Sequence, residues 1–219
     1  GAVTYGGSAS QWQYLAIGAG NDPLTGAGIT YEGSDAGSAP VTPSGVYKGA
    51  TVKVGRYEQD DNTADGAEAL EWTVLDVQGD RALVISKYVL GFARYYRTLI
   101  SPISWANSQL RGELNGSFLN TAFTESEKAG IASVDLSNEG NSVYGVAGGA
   151  NTTDRIFVLS ASEAGKYFAT DDDRIASATA YALSQYALQY PGAPRPANTT
   201  LNASFGWLRT AGMFSYSAV

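Results

Sequence analysis

Residues 71–90, EWTVLDVQGDRALVISKYVL, decide the fold. Two runs rich in Val, Ile, Leu, Trp and Tyr are separated by Gly79-Asp80 alone, and a link that short returns the chain antiparallel beside itself. Upstream, ATVKVGRYEQ (50–59) alternates in character and is joined to the hairpin through the polar loop DDNTADGAEA (60–69). These segments predict a three-stranded antiparallel β-meander.

Beyond the meander the period changes. In SPISWANSQLRGELNGSFLNTAF (101–123), Leu110, Leu114 and Phe118 recur every fourth residue, and Trp105, Ala122 and Phe123 extend that face. This pattern predicts a principal helix with Ser104 as N-cap and with Arg111, Glu113 and Asn115 pointing away from the core. Gly112 and Gly116 weaken it by about 1 kcal/mol each relative to Ala, so packing must hold it. A second principal helix is predicted over DRIASATAYALSQYALQY (173–190), with Asp171-Asp172-Asp173 at its cap and a stop at Pro191-Gly192.

Two shorter helices announce themselves by reciprocal capping boxes, Thr124 with Glu127 and Ser160 with Glu163. The second follows RIFVLS (155–160), which reads as a buried strand. SNEGNSVYGVAGGANTTD (137–154) has no period and reads as a long exposed loop. The fold class is therefore α+β, an antiparallel sheet with two principal flanking helices. Residues 1–48 are rich in Gly and Ser yet carry Trp12, Tyr14 and other aromatics, so they read as an arm partly docked on a domain spanning 49–219, with QWQYLAIG (11–18) a short strand.

Composition removes whole classes of function. The chain of 219 residues has no His and no Cys, which excludes His-dependent triads, Cys nucleophiles and His/Cys zinc sites. A net charge of −7 without any Lys/Arg cluster argues against nucleic acid as partner. No apolar run reaches the roughly 18 residues of a membrane span, so no membrane insertion is expected.

The motifs in GRYEQDDNTADGAEALEWTVLDVQGDRALVISKY, SWANSQLRGELNGSFLNTAFTESE, RIFVLSASEAGKYF and WLRTAG resemble, in order and spacing, a bacterial exported domain family of unknown function. Its closing signature is similar to that of C-type-lectin-like folds, and Trp207, Leu208, Arg209, Ala211 and Gly212 match the start of it. The last strand and the Arg-Pro that those folds place after this signature do not follow before Val219. The resemblance implies a lectin-like topology and an extracellular or cell-surface setting.

What remains is carboxylate, hydroxyl, Lys and Tyr chemistry. Asp60 to Glu68 is oxygen-rich enough for a structural calcium ion, but a start at Asp60 puts Ala64 where an EF-hand needs a ligand, and a polar hairpin loop explains the stretch equally well. No metal or other cofactor is therefore assigned. Paired acids among Glu58, Glu68, Glu71 and Asp76 would serve a glycan hydrolase only if two faced each other in a cleft. Aromatic and basic residues after the third strand and after the signature suit recognition instead, and the candidate ligand-binding residues are Tyr95, Tyr96, Arg97, Arg209, Phe214 and Tyr216. Core packing is the competing reading for Trp72, Trp105 and Trp207, and a buried structural pair for Arg111 and Arg209. Of the four Asn-x-Ser/Thr sequons (Asn115, Asn151, Asn198, Asn202), none is assigned a role. The expected function is a non-catalytic binding or adhesion module of a bacterial surface or secreted protein, its partner a glycan or protein. A structural unit of a surface appendage and a carboxylate-based hydrolase are the alternatives.

Overall fold

The computed structural model describes residues 2–5, 28–31, 46–96, 103–192, 203 and 206–212. Its strands are β1 (Ala2–Tyr5), β2 (Gly28–Tyr31), β3 (Thr51–Tyr57), β4 (Glu68–Gln78), β5 (Arg81–Ser86), β6 (Val134–Leu136) and β7 (Thr152–Asp154). β3, β4 and β5 form the expected meander in that order. β1 pairs parallel with β2, and β6 pairs antiparallel with β7. With the helices below, the fold is α+β.

Residue contacts divide the chain into two compact units: Gly1–Val52 with Trp72–Ile85, and Lys53–Glu71 with Ser86–Val219. The first contains β1, β2 and residues Trp72–Ile85 of the β4–β5 hairpin. There Gly49 N–H donates to Val74 O (2.8 Å) and Val74 N–H to Ala50 O (2.9 Å), holding residues 49–50 along the buried Val74. The expected strand at 11–18 lies outside the described residues.

The second unit holds the helices. α1 (Gln109–Glu113) runs into a π-helical turn (Leu114–Phe118) and on into α2 (Leu119–Ala122). A π turn inserts one residue, so it shifts the buried row. Leu110 is buried, but the row continues through Leu119, Ala122 and Phe123, while Leu114 and Phe118 are only half-buried. The cap also differs from expectation. Ser104 precedes a short 3₁₀ turn, Trp105–Asn107, and makes no capping bond; Ser108 caps α1, its Oγ accepting from Arg111 N–H at 3.1 Å.

Nor do Arg111 and Asn115 point away. Arg111 Nε donates to Asp154 at 2.7 Å, and Asn115 clamps the chain opposite: its Oδ1 accepts from Arg155 N–H (2.9 Å) and Ile156 N–H (3.2 Å), and its Nδ2 donates to Ile156 O (2.8 Å). That clamp explains a second correction. RIFVLS is not a strand after Asp154, because its backbone groups are satisfied by side chains: Asn115 serves 155 and 156, and Arg209 Nη1 serves Val158 O (3.0 Å).

Both capping boxes form, opening α3 (Glu125–Gly130) and α4 (Ala161–Tyr167). The predicted long C-terminal helix is shorter. Asp172–Arg174 is an isolated 3₁₀ turn in which Asp173 bonds back to Thr170, so the acidic run caps no α-helix. The chain then extends, Val89 N–H meeting Ser177 O at 2.9 Å, and α5 (Ala180–Gln189) begins only at Thr179, whose Oγ1 accepts from Ala182 N–H. Bonding to residue 89 competes with helix formation through 175–178. On α5, Tyr186 packs against Phe92 and Tyr190 under Arg94, which also donates to its hydroxyl at 3.0 Å.

Gly55 shows why glycine is required at one strand position. Its φ is +78° and a β-carbon there would lie 2.6 Å from the Phe123 ring, while its N–H donates to Glu127 of the α3 capping box.

Candidate functional site

The hydrophobic core of the second unit is aromatic. Tyr95, Trp105 and Leu110 are buried, with Ile103, Leu114, Phe157, Val158 and Trp207 packed around them. Tyr95 stands between two indoles, 5.6 Å from Trp207 and 6.4 Å from Trp105 between ring centroids. Trp207 is tied by Nε1 to Ala93 O at 2.8 Å. The Trp-Leu-Arg segment therefore closes the core.

Arg209, two residues on, has a side chain only 4% exposed. Its guanidinium forms a fork with Glu163, Nη1 to Oε2 and Nη2 to Oε1 (2.5 Å), and lies over the Phe157 ring. Glu163 also accepts from Ser160 N–H at 2.9 Å, so the capping box of α4 and the ion pair share one carboxylate. Burial pushes the Glu163 pKa up, but the Arg209 and Ser160 hydrogen bonds outweigh it and hold the carboxyl below its ordinary value. Arg209 Nε–H is buried with no acceptor.

Over this floor opens a cavity of about 260 Å³. Tyr95 and Arg209 line it, with Ile103, Ser104 and Asn107 from the segment before α1, Ala211 from the chain after Arg209, and Glu139 and residues 147–149 from the long loop expected to be exposed. That loop is largely exposed, as expected, and is also anchored. Asn138 is buried and donates to Ala150 O at 2.6 Å; Asn141 Nδ2 donates to Ala211 O at 2.8 Å. A bridge between Asn141 and Val146 isolates a tip, residues 142–145, that carries Val143 (80% exposed) and Tyr144 (48%).

Close backbone approach fixes the cavity wall. A β-carbon on Gly148 would fall 1.9 Å from Asn138 O, and one on Gly149 2.3 Å from the Ser104 β-carbon. Since backbone cannot yield as a side-chain tip does, Gly148→Ala is expected to cost about 1–3 kcal/mol. Chemical denaturation followed by Trp fluorescence measures it, and an unchanged midpoint would refute the tight wall.

Burial pushes the Tyr95 phenol up to about 12, against the opposing pull of the Arg209 charge. Its hydroxyl makes no hydrogen bond within the described residues. Of the other residues expected at a site, Tyr96 is half-buried and does not line the cavity, while Arg97, Phe214 and Tyr216 lie outside the described residues. Ser104, Asn107, Glu139 and Tyr144 were missed. Nothing in their sequence neighbourhood marks them, because chain segments far apart in sequence meet only after folding.

The expected oxygen-rich loop does gather carboxylates. Glu58, Asp60 and Glu68 place ligand oxygens within 4.8 Å of one another. Glu68 already accepts from Gln59 N–H at 2.6 Å, and Asp60 from Asn62 N–H at 2.8 Å. Glu58 is half-buried with Oε1 shielded and unpartnered; partial burial first, then the Glu68 charge, raises its pKa above 4.5. A raised acid pKa means that ionisation disfavours the fold, so stability is lost as pH rises through the folded value. Glu58→Gln is expected to raise Tm at pH 7 and to change it little at pH 4; an equal gain at both would reject repulsion as the cause.

The family described as Domain of unknown function (DUF6273) matches residues 79–219. The chain belongs to this family. No curated protein matches the chain, and no solved structure does. Every described residue lining the cavity lies in the DUF6273 segment, whereas Glu58, Asp60 and Glu68 precede it. Among the described residues, the cavity is thus lined by the DUF6273 portion. Among the described residues no helix is long and apolar enough to cross a membrane.

Proposed function

We propose that this DUF6273 domain is a non-catalytic recognition module, displayed on or released from a bacterial cell, and that the cavity over Tyr95 and Arg209 receives its ligand. One observation carries the reading: the cavity has a rigid floor and chemically open walls. Arg209 is held in place by Glu163 and Val158 O, and Tyr95 between two indoles, so neither has to move or give up a proton for a ligand to seat. Around them Ser104, Asn107 and Glu139 make no side-chain hydrogen bonds among the described residues. The extracellular setting and the lectin-like analogy come from the sequence resemblance.

Hydrolysis by paired acids asks for two facing carboxylates at the substrate. Glu139 is the single carboxylate lining the cavity among the described residues, and the Glu58 cluster does not line it. Ala147 is exposed at the cavity wall, so Ala147→Trp blocks the cavity while leaving the core intact. Probing glycan and protein arrays with the labelled domain is expected to give binding that this variant weakens at least about tenfold at unchanged Tm. Silence on both arrays, together with concentration-dependent assembly in light scattering, would replace recognition by the structural-unit reading.

A further inference from the structure

Resting on that reading, we propose that the cavity takes one neutral sugar residue and that the next unit of the same glycan chain lies against Tyr144.

Size comes first. At about 260 Å³ the cavity falls below the roughly 300–1,000 Å³ of drug-sized sites, which restricts the occupant to a unit of about one ring. Charge comes second. Glu163 cancels the Arg209 charge, and Glu139 at the rim leaves the site acidic in a chain whose net charge is −7. A carboxylate or phosphate would approach against that field.

Hydrogen-bonding character decides among the remaining ligands, since a donor-only ammonium group would leave the donors of Asn107 and the hydroxyls without acceptors. Tyr95 and Ser104 offer hydroxyls that both donate and accept, Asn107 an amide that does both from separate atoms, and Glu139 acceptors only. Such an alternation of donors and acceptors matches a ring of hydroxyl groups, each of which donates and accepts. Ile103, Ala147 and Ala211 supply apolar wall for the C–H face of such a ring.

The exposed tip extends the site. Its residues 142–145 lead directly into the wall at 147–149, and the Asn141–Val146 bridge and the Asn141–Ala211 hydrogen bond hold its base. Tyr144 offers a ring face for stacking with a polar edge, at low entropy cost.

Calorimetric titration tests this with glucose, galactose, mannose and N-acetylglucosamine, with linear trisaccharides of each, and with glucuronic and N-acetylneuraminic acids as charged controls. At least one neutral series is expected to bind. Tyr144→Ala should weaken the trisaccharide about tenfold and the monosaccharide less than about twofold, and Ala147→Trp or Asn107→Trp should abolish both. Near-UV circular dichroism checks that each variant is folded. Preference for the acidic sugars, or binding to a protein array with every saccharide silent, overturns the neutral-sugar assignment while leaving recognition standing. Silence of saccharides and protein array alike overturns both.

Discussion

Asp154→Ala is expected to destabilise the second unit by about 3–5 kcal/mol, the cost of removing one partner from a buried charge pair. Asp154 is 2% exposed and satisfies three donors at once: Trp105 Nε1 at 2.9 Å, Thr152 Oγ1 at 2.8 Å and Arg111 Nε at 2.7 Å. Trp105 is among the most deeply buried large side chains described, so its indole N–H has no water to turn to. Arg111, by contrast, is 31% exposed and can recover part of its hydration, which keeps the loss within that range. Asp154→Asn preserves the shape and one acceptor oxygen, so it should fall between wild type and alanine. Urea titrations followed by Trp fluorescence give the comparison as a shift in midpoint at constant slope. A shift equivalent to less than about 1 kcal/mol for the alanine variant would show that the three donors find other partners.

Glu163→Ala is expected to cost about 3 kcal/mol, near the low end for a buried pair because the Glu163 side chain is 28% exposed. Three things are lost together: the countercharge of the buried Arg209, the acceptor for Ser160 N–H, and the link between α4 and the Trp-Leu-Arg segment. The same contacts make this carboxyl pH-sensitive. Its folded pKa is depressed below 4.5, so its stabilisation is fully present above that value and is lost as pH falls through the lower, folded one. Glu71, Glu127 and Asp173 are depressed too, by Lys87 and Lys53, by Thr124 and Gly55, and by Thr170 respectively, and they contribute to acid unfolding in the same direction. The difference between wild type and Glu163→Gln isolates the one group. That difference in Tm should be large at pH 7 and shrink below pH 4.5. A constant difference would mean that Glu163 acts through shape rather than charge.

Much of the local structure was legible because its causes lie within a few residues. The two capping boxes pair a hydroxyl and a carboxylate three positions apart, and both form at Thr124 and Ser160. The Gly79-Asp80 turn forces its flanking strands antiparallel regardless of what packs on them. The stop after Gln189 follows from Pro191-Gly192, with Gly192 at φ +78°.

Misreadings fall where a distant partner outbids a local preference. Arg111 and Asn115 are ordinary helix-surface types, and only the arrival of Asp154–Ile156 turns them inward. RIFVLS has strand composition, but its backbone is claimed by Asn115 and Arg209 before a ladder can form. Residues 175–178 have helical periodicity, yet Ser177 is bonded to Val89. The half-buried sequon at Asn115 follows the same logic, since its amide already bonds the chain opposite.

The absence of His and Cys, the α+β class, the meander and the two capping-box helix starts at Thr124 and Ser160 were determined by sequence alone, because each depends on composition or on neighbours a few residues apart. The cavity was decided by tertiary structure. Tyr95 and Arg209 stood out in the sequence as an aromatic and a cation suited to recognition, but their shared floor, the Glu163 that neutralises it, and the wall from Ser104, Glu139 and residues 147–149 come from segments whose contacts exist only once the core has closed.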